Sequence, residues 1–293
     1  MKSMLVEKCY DNGDSIKSQA LYSFSNYAQN NLTKISLIDL SMRHSRVKLP
    51  KPVDGTTFIC TLPNRRLFCY GNLWWERQGG IYNTNPSPKI SGIAFIVNSD
   101  LETEILNEGI PCYKPGGVYC DGKVFLFGGH IQAETNEPTS IASEYNLERN
   151  RWRNISNLPI SSSGCSCIEY MGLILIGGFS HSKSVFAYDI AEDSYSEFLS
   201  NLQKTKFLCK NDGYAYLINP GGNIYESEYC NPFVWKIVNK YKGKIDYEFI
   251  AFQTVFGNYF YFVDNHFPFS DCYMFDLVNK EMSDCDLNKL IGR

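Results

Sequence analysis

Apolar residues recur along this chain in six short runs, each closed by small or turn-forming residues. The runs are ALYSFSN (20–26), RLFCYGN (66–72), KVFLFGG (123–129), LILIGG (173–178), YAYLINP (214–220) and YFYFVDN (259–265). Each pattern predicts a β-strand that stops at a tight turn. A polar loop follows, and then a second element: an apolar residue, Asp or Asn, an apolar or small residue, and a charged turn. Its copies are Ile38-Asp39-Leu40, Val97-Asn98-Ser99, Tyr145-Asn146-Leu147, Tyr188-Asp189-Ile190 and Phe275-Asp276-Leu277, with a degraded copy at Tyr229–Trp235. Successive copies lie 59, 48, 43, 41 and 46 residues apart.

That period, about 47 residues on average, matches a four-stranded propeller blade of roughly 40–50 residues. The Asp or Asn ends a strand because its side chain bonds its own backbone and favours a turn. A lone four-stranded sheet cannot bury both of its faces. A ring of such sheets buries them against neighbours and hides the edges. Sustained helical periodicity is absent, and Pro and Gly fall between the runs. The predicted fold is therefore all-β, a six-bladed β-propeller with four antiparallel strands per blade. One domain spans 1–293, with blades at about 1–48, 49–110, 111–159, 160–204, 205–245 and 246–293.

Two copies carry more specific residues. Gly128-Gly129, Tyr145, six residues and Trp152 form one; Gly177-Gly178, Tyr188, six residues and Tyr195 form the other. This arrangement resembles the kelch repeat. The resemblance covers the whole chain in period, but its diagnostic residues fall mainly in 111–204. It implies structural roles: the Gly pair permits close packing at the strand end, and the Tyr and Trp fill space between blades. Closure by a strand from the opposite end of the chain is common in the family. Residues 4–10 could serve that purpose or begin the first blade.

Composition narrows the setting. The chain is 44% hydrophobic and 15% aromatic, which supports a packed core rather than disorder. The net charge of −3 argues against a nucleic-acid binder. No apolar run reaches the ~18 residues of a membrane span, and the first residues lack a signal-peptide core, which places the chain in the cytoplasm or nucleus. Eleven scattered Cys, including Cys60, Cys69, Cys120 and Cys209 in strand-like runs, read as small buried hydrophobes of a reducing compartment. Cys165-Ser166-Cys167 is the one tight pair, and no second cluster completes a zinc site, so no metal and no cofactor are expected.

Propeller geometry puts the segments between blades on one face, with the loops between second and third strands. The between-blade segments hold Lys48, Lys51, Lys114, Lys204, Lys206, Lys240, Lys242 and Lys244 against Asp54 and Asp246. The opposite hairpins carry Asp100, Glu102, Glu104, Glu148, Glu192, Asp193, Asp212 and Asp276. A basic loop face would steer an acidic partner. Its longest loop, read as Asn72–Ser91, offers Trp74, Trp75, Arg77 and Tyr82, the residue types that anchor interfaces. His130, His181 and His266 lie in loops of separate blades and are expected to be ordinarily solvated; with Lys204, Lys206 and Lys242 they complete the candidate partner surface.

No carboxylate pair, Ser-His-Asp order or phosphate-binding loop emerges, and no catalytic residue is assigned. Copper-dependent oxidases of kelch type use such a face, with a Tyr pair and a covalently modified Cys that no motif here supplies. The expected function is a protein–protein interaction module, an adaptor or scaffold binding a protein or peptide. The alternative is a kelch-type isomerase or oxidase acting on a small molecule or sugar in the central funnel.

Overall fold

The computed structural model describes residues 2–8, 19–25, 31–36, 42–46, 49–50, 57–76, 87–135, 137–179, 182–200, 207–211, 214–219, 221–228, 234–241, 250–256, 259–264 and 272–285. Among these residues the regular structure is entirely β, apart from one short 3-10 turn at Pro63–Arg65. No described helix is long and apolar enough to cross a membrane.

The strands fall into groups of four, and within each group hydrogen-bonded neighbours are also neighbours in sequence. The first group is β1 (Lys2–Lys8), β2 (Gln19–Ser25), β3 (Asn31–Ser36) and β4 (Met42–Arg46), in that order. The second is β5 (Phe58–Leu62), β6 (Arg66–Glu76), β7 (Ser87–Val97) and β8 (Thr103–Ile105). Then come β9 (Gly116–Cys120), β10 (Lys123–Phe127), β11 (Ala142–Asn146) and β12 (Arg151–Ile155). They are followed by β13 (Ser166–Tyr170), β14 (Leu173–Gly177), β15 (Val185–Asp189) and β16 (Ser194–Leu199). The last two groups are β17 (Phe207–Asn211), β18 (Tyr214–Ile218), β19 (Asn223–Glu228), β20 (Lys236–Lys240), and β21 (Ile250–Phe256), β22 (Tyr259–Asp264), β23 (Cys272–Asp276), β24 (Met282–Cys285). From β5 onward, successive strands within each group pair antiparallel. A sandwich would show Greek-key crossings between two sheets. Sequential meanders of this kind fit a β-propeller instead.

All six apolar runs become the second strand of a group: β2, β6, β10, β14, β18 and β22. Four of the second elements end the third strand as expected, with Val97, Asn146, Asp189 and Asp276 at or next to the strand terminus. The turn chemistry is visible in the hydrogen bonds. Asn146 Oδ1 accepts from the Arg149 N–H at 2.8 Å, Asp189 Oδ1 from Ala191 at 2.9 Å and Asp276 Oδ1 from Val278 at 2.8 Å. Each turn ends on a left-handed residue five positions after the aromatic: Asn150, Asp193 and Lys280. Ile38-Asp39-Leu40 lies outside the described residues.

Of the degraded copy, Trp235 is described and Tyr229 lies outside the described residues. Glu226 pairs with Lys236 in register, and one further step places Ser227 opposite Trp235. Ser227 therefore takes the position that Tyr145 holds opposite Trp152. Ser227 is buried and, being small, leaves no aromatic signal in the sequence.

The chain divides into two compact units, one built from 46–165 with 25–31, the other from 166–293 with 2–24 and 32–45. In the first, the core gathers Phe68, Tyr70, Ile96, Val124, Leu126 and Tyr145, with Phe58 and Trp152 packed against it. In the second, one cluster holds Ile168, Tyr170, Leu175, Val185 and Leu217, and another holds Tyr216, Ile218, Ile224, Tyr273 and Phe275. Alternate residues of each strand supply one cluster, and the second strands are buried on both faces, with four consecutive buried residues in β10, β14 and β18.

Candidate functional site

In the first unit, the end of β10 is a backbone junction. Gly128 and Gly129 both have positive φ, 66° and 95°. Gly128 N–H donates to the Ile141 carbonyl at 2.9 Å and Gly129 N–H to the Ser162 carbonyl at 2.7 Å. A Cβ on Gly128 would stand 2.1 Å from the Ser162 oxygen, and one on Gly129 2.4 Å from Cys112 Sγ. The pair is glycine because two neighbouring chain segments approach closer than any side chain allows. Gly71 repeats the arrangement: φ is 63°, and its Cβ would stand 2.1 Å from the Cys112 carbonyl oxygen. In the second unit, Gly177 closes β14 and Gly178 has φ of 89°.

A device that the sequence reading missed supports each junction. Thr139 Oγ1 accepts from the Ile141 N–H at 3.2 Å, Ser91 Oγ from Ile93 at 3.1 Å and Ser182 Oγ from Ser184 at 3.0 Å. Each hydroxyl stands six residues before the residue that closes the next motif, Tyr145, Val97 or Tyr188. A Ser or Thr at that fixed offset was the available signal; it turns the loop back into the third strand.

His130 leaves this junction and is buried, at 6% exposure, which corrects the expectation of a solvated loop histidine. Its N–H donates to the Tyr113 carbonyl at 2.9 Å and its carbonyl accepts from the Tyr113 N–H at 3.0 Å. The imidazole stacks on the Tyr113 ring, centroids 4.7 Å apart. Paired backbones force the two rings together, and Nδ1 is left without a hydrogen-bond partner. Burial holds the imidazole below its ordinary pKa, with a hydrogen bond to the Glu137 backbone opposing the shift and the Lys114 charge reinforcing it.

At the outer side of the same unit, Tyr145 is fully buried, and its hydroxyl donates to Asn150 Oδ1. Trp152 is only half-buried, less than its role as a filler between blades suggested. Its ring meets Tyr145 and Tyr70 at centroid distances of 4.8 Å each. The indole N–H is spent on the Asn107 carbonyl, which explains why the ring's edge stays near the surface. In the second unit Tyr188 is fully buried, donates to Asp193 Oδ1 at 2.7 Å and meets the half-buried Tyr195 ring at 5.0 Å.

Two buried carboxylates occupy matching positions on third strands. Glu144 lies between Lys123 Nζ at 3.3 Å and Arg153 Nε at 3.0 Å. Glu226 lies between Lys236 Nζ at 3.3 Å and Lys280 Nζ, and Lys280 also donates to the Tyr216 hydroxyl at 2.5 Å. Burial alone pushes the Glu226 carboxyl up; the hydrogen bonds from Lys280, Tyr216 and Lys236 outweigh it and hold the group below the ordinary glutamate value.

The expected long loop is shorter than Asn72–Ser91. Strand β6 runs on to Glu76 and β7 starts at Ser87, pairing Trp74 with Lys89 and Trp75 with Pro88. Aromatic residues favour the pleated ribbon, so the Trp pair extends the hairpin instead of entering a loop. Arg77, Tyr82, His181, His266, Lys204, Lys206 and Lys242 lie outside the described residues. Lys114 is exposed in its between-strand segment, and Lys240 belongs to β20 rather than to a connection. Asp100, Glu102, Glu104, Glu148 and Glu192 are exposed on or beside the hairpins.

Of the described cysteines, Cys69, Cys112, Cys165 and Cys167 are buried as expected, whereas Cys60 and Cys120 are only half-buried. Burial pushes the Cys112 thiol up to about 12 and the Cys165 thiol to about 11. Among the described residues no three His, Cys, Asp or Glu side chains converge as a metal site would require.

The kelch motif model matches residues 111–159. No curated protein matches the chain. The match begins at the segment that holds Cys112 and Tyr113 and ends after β12, so the junction glycines, the Tyr145–Trp152 pair and the stacked His130 all belong to one motif. The chain carries a kelch motif, and residues 111–159 are that motif.

Proposed function

We propose that this chain is a protein-interaction module, an adaptor or scaffold, built as one propeller domain of six four-stranded blades near 1–48, 49–110, 111–159, 160–204, 205–245 and 246–293. The kelch motif and the sequential meanders support that reading. The loop face is its partner surface, and the partner is acidic.

The observation that carries the proposal is the β6–β7 ribbon. Gly71 is the counterpart of Gly128, and β10 stops just before its glycine. Strand β6 instead continues five residues past Gly71, paired as far as Glu76 with Ser87. At about 3.3 Å per residue the ribbon reaches roughly 17 Å beyond the junction. It carries Trp74 and Trp75 and leads to Arg77 and Tyr82, residue types that dominate interface energetics. Lys204, Lys206 and Lys242, with Lys114, supply a basic rim that speeds association with an acidic surface; in sequence, His181 and His266 follow the apolar runs of their own segments.

The test is affinity capture with the intact protein and then the affinity of the captured partner at low and high salt. Trp75→Ala should weaken binding by about 2 kcal/mol or more, chiefly through faster dissociation. Charge reversal at Lys204, Lys206 and Lys242 should slow association and flatten the salt dependence. Binding indifferent to both changes would refute the loop face as the partner surface.

A further inference from the structure

The outermost strand of the kelch motif, β12 (Arg151–Ile155), is a positively charged edge. It pairs with β11 on one side, and it stands at the end of its sheet. Every second residue of such a strand turns its N–H and C=O away from the sheet. Lys280, left-handed at the β23–β24 turn, fixes which set that is. There Asp276 N–H donates to the Glu281 carbonyl. Asn150 is left-handed at the corresponding place before β12. By the same alternation Arg151 and Arg153 bond β11, while Trp152 and Asn154 present their backbone groups outward.

Arg149, Arg151 and Arg153 are exposed along this edge. Arg151 and Arg153 share one face of the sheet with Glu144. Glu144 is already saturated: Lys123 holds one oxygen and the Arg153 fork spans both. Among the described residues no carboxylate pairs with Arg149 or Arg151. The row therefore carries excess positive charge at its outer end. Strand β4 (MRHSR) is also basic, but the last strands of the other groups differ. Strand β8 carries Glu104, β24 Asp284 and β16 Glu197, and the Lys236 of β20 is held by Glu226 and Glu228.

We propose that the β12 edge accepts an extended acidic segment of a partner protein as an added strand. Main-chain hydrogen bonds to Trp152 and Asn154 would set the register, and alternate carboxylates of the segment would meet Arg151 and its neighbours. The surface is separate from the loop face, so it gives the module a second point of contact; it rests on the interaction reading, not on the ribbon.

The probe is a labelled peptide of alternating glutamate and valine, compared with its glutamine counterpart and with a version N-methylated at alternate amides. The N-methylated peptide keeps the charge and loses the donors that a strand needs, without altering the protein. The glutamate peptide should bind at least tenfold more tightly than either, slow amide exchange within 151–155, and lose at least tenfold in affinity with Arg151→Glu. Charge reversal at Lys204, Lys206 and Lys242 should leave peptide binding unchanged. Equal binding of the N-methylated peptide, or displacement by heparin with no protection at 151–155, would overturn strand addition in favour of simple charge attraction. Loss of binding with the lysine reversals but not with Arg151→Glu would overturn this inference while leaving the loop-face reading intact. A captured partner insensitive to the loop-face changes would refute that reading and leave the peptide result standing.

Discussion

The indole N–H of Trp152 donates to the Asn107 carbonyl oxygen at 2.7 Å, across 45 residues of chain. Asn107 returns to the same turn, its N–H donating to Asn150 Oδ1 at 3.1 Å. One aromatic residue thus joins the outer strand of its own meander to the segment that follows β8. Its ring fills space against Tyr70 and Tyr145 while its polar tip satisfies a carbonyl. Trp152→Ala removes both functions and should cost about 3 kcal/mol, the low end for a large aromatic because the ring is half-exposed. Trp152→Phe keeps the packing and should cost about 1 kcal/mol for the bond. Urea unfolding of the two variants measures the split; equal midpoints with wild type would contradict the clasp.

Positive φ does not have the same consequence at every glycine. Gly122 has φ of 75° and open space around its α-carbon, so Gly122→Ala should cost only the backbone strain of about 1 kcal/mol. Gly128→Ala adds a collision with the Ser162 carbonyl and should cost at least twice that, since backbone rather than a flexible side chain must move. Thermal unfolding of the two variants side by side gives the comparison.

Two acid transitions should separate by pH. His130 is held below its ordinary pKa of 6.5, so the unfolded chain binds its proton more readily. Stability from this site is full above about 6.5 and is lost as pH falls toward the folded value. His130→Phe should remove that slope. Glu226 is held below its ordinary 4.5, so its contribution is present above that value and is lost as pH falls through the depressed one. Glu226→Gln should flatten stability only in the lower window. Unfolding free energies measured from pH 8 to 3 on the three proteins distinguish the sites.

Buried thiols should resist modification. Burial raises Cys69 well above an ordinary thiol, and Cys112 and Cys165 follow. Thiolate is the reactive form. Iodoacetamide at pH 8 should leave the peptides carrying Cys69, Cys112 and Cys165 unlabelled in the native protein and label them in denaturant, read by mass spectrometry.

The all-β class, the second strand of every meander and the turn-forming Asn146, Asp189 and Asp276 are determined by the sequence alone, because they rest on local forces. Short apolar runs closed by turn residues and side-chain-to-backbone hydrogen bonds need only near neighbours. The Gly128-Gly129 pair and the Tyr145–Trp152 spacing were legible for the same reason: a left-handed turn and a cross-strand pair recur at fixed offsets. Tertiary structure decided the rest. The Ser227 position opposite Trp235 depends on register across two strands, and a small side chain leaves no pattern. The burial of His130 follows from its backbone pairing with Tyr113, 17 residues away, which no local rule anticipates. Trp74 and Trp75 stand in a paired ribbon because β7 begins early enough to meet them, and a loop rich in Gly and Pro gave no sign of that. Glu144 and Glu226 lie buried because cations from neighbouring strands and turns converge on them, contacts that only the folded chain can assemble.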